Sequence, residues 1–211
     1  MKSRLTIFNR LQKLLHLKPS PLKQGCNGSY IFVHINKTAG TSIGRAIGLP
    51  LKDHLTAKEI IAGIGKQNWN SAYKFTVVRN PWDKVVSLYE YRRKKNKTQI
   101  ASRDITFTEW VKLTHGRNKD PFYYDNVKSF QAQVEWLKDD EGTIAIDFVA
   151  RFETLHADFE QIRDATGITA DLPHLNASSR KNYKDYYTDE TREIVARWYL
   201  EDIEVFAYSF D

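Results

Sequence analysis

The sequence predicts an α/β protein with a central parallel sheet flanked by helices, and three observations carry that prediction. Two apolar runs rich in β-branched and aromatic residues, Tyr30–Val33 and Lys74–Val78, read as buried strands. Each ends in a short loop holding a cation, Lys37 in the first and Arg79 in the second, and each loop leads into a helical pattern. A third run, Thr143–Val149, precedes a helical pattern over Thr154–Thr166 that Gly167 closes as a C-cap. Successive strand–loop–helix units bring their loops to one edge of a sheet, the carboxyl edge where open α/β proteins bind ligands.

Taken in order, residues 1–18 set Leu5, Phe8, Leu11 and Leu15 at helical spacing, with Arg4, Arg10, Lys13 and Lys18 elsewhere. That is a basic amphipathic helix, packed on the domain or resting on a membrane surface; one short helix holds a membrane only weakly. Pro19, Pro21, Gly25 and Gly28 follow as a linker. Residues 1–25 are therefore expected as an appendage and 26–211 as one domain. After the first strand, the loop Lys37, Thr38, Ala39, Gly40, Thr41, Ser42 runs into the helical pattern SIGRAIG. Backbone N–H groups, the positive end of a helix dipole, hydroxyls and an ammonium converge there as an anion cradle. It is not a Walker A loop: no glycine stands between Tyr30 and Lys37, so the backbone cannot wrap a triphosphate, and no Mg²⁺ ligand is signposted.

Thr56 reads as an N-cap with Glu59 completing a capping box, which leaves His54 in the loop just outside that helix. Beyond the second strand Pro81 forbids further pairing, and a helix follows over Asp83–Lys97 with Ser87 in its first turns. Its end carries Arg92, Arg93, Lys94, Lys95 and Lys97, a solvated face favourable to the dipole or an attractor of a polyanionic acceptor. Phe107–Leu113 and Ser129–Lys138 read as helices joined by a loop with Pro121, Phe122, Tyr123 and Tyr124. Leu172–Tyr187 is a long polar loop, a kind that is often functional, and Thr188–Phe206 is the last helix.

Composition sets the bounds. The 211 residues are 41% hydrophobic, enough for one good-sized core. A formal charge of +6 favours an anionic ligand, yet no RNP motif or zinc-finger spacing points to nucleic acid. Cys26 is the single cysteine, so neither an intramolecular disulfide nor a cysteine zinc site can form. No apolar run approaches a membrane span, and polar residues interrupt any secretory signal in the first nineteen positions, so a cytoplasmic protein is expected.

In order along the chain, HINKTAGTSI, VVRNPWDKVVSLY, FVARFETL, LPHLNASSRKNYKDYYT and DIEVFAYSF resemble the carbohydrate sulfotransferases. The nearest likeness is to the family-2 group, which includes the heparan sulfate and uronyl 2-O-sulfotransferases and bacterial relatives. It spans roughly residues 30–210. Asn36 stands where relatives usually have proline. The resemblance implies a P-loop-like sulfotransferase fold in three layers and the donor 3′-phosphoadenosine 5′-phosphosulfate, with adenosine 3′,5′-bisphosphate as product and no metal. It assigns Lys37, Thr38, Ala39, Gly40, Thr41 and Ser42 to the 5′-phosphosulfate and Arg79 with Ser87 to the 3′-phosphate. Arg180, Ser178 and Lys181 would close over the nucleotide. It also implies a carbohydrate or glycolipid acceptor, and a bacterial cytoplasmic setting, since the chain lacks the membrane stem of Golgi relatives.

Physical chemistry supports that division. A donor with anionic groups at two ends suits two cationic loops on neighbouring strand ends, and a guanidinium grips a terminal phosphate through two oxygens. Lys37 would neutralise charge on the leaving nucleotide oxygen. The acceptor hydroxyl must also lose a proton, and His54 is the expected base, with Asp53 and Glu90 as fallbacks. His34 reads as a buried, hydrogen-bonded core residue, His115 and His174 as loop residues, and Trp82 as core packing. Tyr123, Tyr124, the Arg92–Lys97 run and the Leu172–Tyr187 loop are expected around the acceptor. A nucleotide kinase or NTPase and a non-catalytic anionic-glycan-binding module are the competing readings; the first would need Mg²⁺ and the second would not need His54.

Overall fold

The computed structural model describes residues 29–48, 54–173 and 180–211. The expected N-terminal helix, Cys26, Asp53, His174 and Ser178 lie outside the described residues. Strands β1 (Tyr30–Val33), β2 (Tyr73–Val78) and β3 (Phe148–Arg151) form a parallel sheet in the order β1-β2-β3. Tyr30 pairs with Tyr73 and Val33 with Thr76; Phe75 pairs with Phe148 and Val78 with Arg151. The helices are α1 (Gly40–Ala46), α2 (Ala57–Ile64), α3 (Lys66–Ser71), α4 (Pro81–Lys94) and α5 (Phe107–His115). Then come α6 (Val127–Phe130), α7 (Gln133–Leu137), α8 (Leu155–Thr166), α9 (Asp189–Trp198) and α10 (Leu200–Phe206).

Side chains alternate across a strand, so β1 feeds two cores. Ile31 and Val33 pack on one face with Ala57 and Ile60 of α2, Trp69 of α3 and Val134, Trp136 and Leu137 of α7. Tyr30 and Phe32 meet Phe75, Val77, Ile43 of α1 and Phe159 and Ile162 of α8 on the other. The α/β sheet flanked by helices is therefore as expected. A third cluster joins α4, α5 and α9 through Trp82, Val85, Tyr89, Trp110, Val111, Val195 and Tyr199. Trp82 is core, as expected, with its indole N–H donated to the Arg192 carbonyl at 3.1 Å.

Local chemistry sets the helix ends. Thr56 and Glu59 form the expected capping box, Gly167 closes α8 at φ 72°, and Asn80 caps α4 ahead of Pro81 at its first position.

Several expectations need correction. The third strand starts at Phe148, because Asp147 turns back on Lys74: the Lys74 N–H donates to the Asp147 carboxylate at 2.7 Å and the Asp147 N–H to the Lys74 carbonyl at 2.9 Å. Ser129–Lys138 is two short helices, since the Asp202 carboxylate takes the N–H groups of Gln133 and Val134 at 2.8 and 2.9 Å and starts α7 afresh. The final helix breaks at Tyr199, whose hydroxyl is tied to the Phe130 carbonyl at 3.1 Å. His115 closes α5 and is buried, not in a loop. Arg92 is buried on Asp125 and the Tyr123 carbonyl rather than solvated, and the Tyr123 ring is itself buried.

Candidate active site

Two turns at the carboxyl edge of the sheet build the site. After β1 the chain passes through Lys37 at φ 67° and Ala39 at φ 65°, left-handed positions that cost a side-chain-bearing residue energy. The Thr38 hydroxyl donates to the Ile35 carbonyl at 2.9 Å, so it is spent on shaping the turn, and the side chain is fully buried. Gly40 opens α1 against the His34 ring: a Cβ there would stand 1.7 Å from His34 Nε2, so only glycine permits the approach. Thr41 is exposed and Ser42 buried.

His34 follows β1 and is buried as expected, but its Nδ1 has no hydrogen-bond partner among the described residues. Burial and the neighbouring His54 push its pKa down to about 3, so it is neutral in ordinary buffers. The His54 ring packs against it with centroids 4.1 Å apart and the planes tilted by 43°, and His54 Nδ1 lies 3.2 Å from the His34 carbonyl oxygen. A carbonyl only accepts, which makes Nδ1 the protonated nitrogen and Nε2 the basic one.

Arg79 stands one residue past β2. Its Nε and NH2 both reach Asp83 Oδ2 at 2.7 Å, NH1 donates to the Lys37 carbonyl at 3.1 Å, and Phe152 lies 3.8 Å beneath the guanidinium. Gln133 clamps the main chain of Arg79, accepting from its N–H at 2.9 Å and donating to its C=O at 2.8 Å. Arg180, from the late loop, pairs with the other oxygen of Asp83. One carboxylate thus gathers two guanidiniums beside Lys37. Burial first, then Arg79 and Arg180, push the Lys37 pKa down to about 8. Among the described residues the Lys37 ammonium has no hydrogen bond or ion pair; it rests over the Tyr91 ring at 4.5 Å.

The expected residues Lys37, Arg79 and Arg180 therefore come together. Ser87 is half-buried and lies four residues from both Asp83 and Tyr91 on α4, on the face that fronts the site. His34 enters that turn from β1, and the His54 ring meets it from the stretch ahead of α2. Lys181 is exposed, and Glu90 is hydrogen-bonded by the Tyr186 hydroxyl. Asp83, Tyr91, Gln133 and Phe152 join these residues without being marked as site residues by the sequence. Only Asp83 had a local signal, its place four residues after Arg79. No cluster of histidine, cysteine and carboxylate side chains that could hold a metal occurs among the described residues.

An edge that concentrates three cations beside a histidine pair is built for an anionic reactant. The chain belongs to the Sulfotransferase family, whose model matches residues 28–209, and it is accordingly a transferase of sulfuryl groups. A protein of Archaeoglobus fulgidus named only "Uncharacterized protein" is 24% identical over 123 residues, 57% of this chain and 90% of that one. The crystal structure of a sulfotransferase from Alicyclobacillus acidocaldarius aligns with a TM-score of 0.46 at 14% identity, covering 85% of this chain and 96% of that chain.

Proposed function

We propose that the protein moves a sulfuryl group from 3′-phosphoadenosine 5′-phosphosulfate to a hydroxyl of a carbohydrate acceptor by in-line displacement. The observation that supports this most is the Arg79 NH1 bond to the Lys37 carbonyl, which joins the two loops into one basin. The residues present fit the donor: Lys37 lacks an anionic partner among the described residues while Arg79 and Arg180 crowd it, so a bound anion would relieve their repulsion.

In this reading the main chain of Lys37–Ser42 and the Lys37 ammonium hold the phosphosulfate end. Arg79 and Ser87 take the 3′-phosphate, and Arg180, with Ser178 of the late loop, closes over the nucleotide. The donor supplies an activated sulfuryl group whose departing nucleotide oxygen gains negative charge. Lys37 meets that charge, in a half-buried setting where it counts for more than in water. His54, oriented by the His34 carbonyl, takes the acceptor proton on Nε2. His34 cannot substitute, because its own protonation is suppressed by burial.

The test is transfer of ³⁵S label from the donor to a panel of oligosaccharides, glycolipids and non-sugar alcohols. Label on a sugar supports the reading; label on non-sugar alcohols alone, or ATP and Mg²⁺ consumed in place of the donor, contradicts it.

A further inference from the structure

The two arginines of the basin have a carboxylate. Arg79 and Arg180 share Asp83. Lys37 alone among these three lacks one within the described residues, although it is half-buried. What meets its ammonium is an aromatic face, the Tyr91 ring at 4.5 Å, on the last turns of α4. Tyr91 is 39% exposed, so it is not there to fill a core. It lies on the α4 face that also bears Asp83 and Ser87, at four-residue spacing.

We propose that Tyr91 is the positioning residue of Lys37: its ring face keeps the ammonium charged and in place without lending it an anion. This rests on the sulfuryl-transfer reading. An ammonium removed from water needs a favourable partner, and a carboxylate would be the strongest. A carboxylate would also compete with the anionic ligand for the same ammonium. An aromatic quadrupole attracts the cation through its face and leaves the N–H donors to point elsewhere. Lys37 is thereby paired and still open to an anion.

The cations that lower the Lys37 pKa are the two arginines, and the Asp83 carboxylate nearby is taken up by both of them. Arg79 acts from the end of β2 and Arg180 from the late loop. Lys97 approaches the same Tyr91 ring at 5.3 Å from beyond α4. Burial and the two arginines work against the charged form, and the Tyr91 face is the contact that attracts it.

The test is the pH profile of acetic anhydride acylation at Lys37, followed by mass spectrometry of its peptide, in the parent, Tyr91→Leu and Tyr91→Phe. Adenosine 3′,5′-bisphosphate titrations run in parallel. Losing the ring in Tyr91→Leu should lower the midpoint of Lys37 acylation by about half to one pH unit and weaken bisphosphate binding about threefold to tenfold. Tyr91→Phe, which keeps the ring, should restore the parent profile. An unchanged midpoint in Tyr91→Leu overturns the proposal, and so does a Tyr91→Phe profile that matches Tyr91→Leu. If the parent fails to bind the bisphosphate, the donor reading falls, while the acylation profiles still decide the role of Tyr91.

Discussion

Arg79 touches Asp83, the Lys37 carbonyl, Phe152 and both amide atoms of Gln133 through its own main chain. At this scale the site is a set of charges whose protonation is held by neighbours. Because Lys37 titrates at about 8 rather than near 10.5, raising the pH through 8 strips the charge an anion needs. Affinity for adenosine 3′,5′-bisphosphate should therefore be greatest near pH 7, where the ligand's phosphates (second pKa about 6) are ionised and Lys37 is still charged, and fall as the pH passes 8; calorimetric titration from pH 7 upward checks it. A bound anion favours the charged form, so the fall should begin at higher pH when ligand is saturating. For His54, replacement by alanine should leave bisphosphate affinity near the parent value and cut turnover by roughly 10²- to 10⁴-fold. Turnover equal to the parent's would remove His54 from the mechanism.

At the scale of elements, the tight approach of α1 to the end of β1 decides where Lys37 points. Gly40 lies against the His34 ring, and a methyl there has nowhere to go. Gly40→Ala should destabilise the fold by about 1–3 kcal/mol in urea unfolding. Pairing it with His34→Ala should recover part of that loss, a coupling of about 0.5–3 kcal/mol. Strictly additive losses would mean that the close approach is not what requires the glycine. Elements also show what the sequence could and could not say. β1, β2 and the Thr56 capping box were legible because their signals are local: apolar runs, and threonine followed by glutamate. The breaks at Gln131–Ala132 and Tyr199 carry no proline or glycine. They arise from Asp202 capping α7 and from Tyr199 reaching Phe130, bonds between residues far apart in the chain. Ile144, Ala145 and Ile146 read as the start of β3, yet Asp147 fixes where the pairing begins.

Across the whole molecule, the parallel order β1-β2-β3 puts both cationic turns on neighbouring strand ends, and α4 carries Asp83, Ser87 and Tyr91 along one side of them. Lys37, Arg79 and Arg180 were readable as cations in loops after strands or in a long polar segment. Their shared carboxylate, the aromatic seat of Lys37 and the Gln133 clamp were not, because each depends on packing that brings separate helices to the sheet edge. In the proposed reading Lys37 and Arg79 serve opposite ends of one nucleotide. The measurement that tests this most directly is calorimetric titration of adenosine 3′,5′-bisphosphate and adenosine 5′-phosphate into the parent and Arg79→Ala. The parent should prefer the bisphosphate by about tenfold to a hundredfold, and Arg79→Ala should lose that preference, as expected for a charged hydrogen-bond pair. Equal affinity of the parent for the two nucleotides, or a preference untouched by Arg79→Ala, would contradict it.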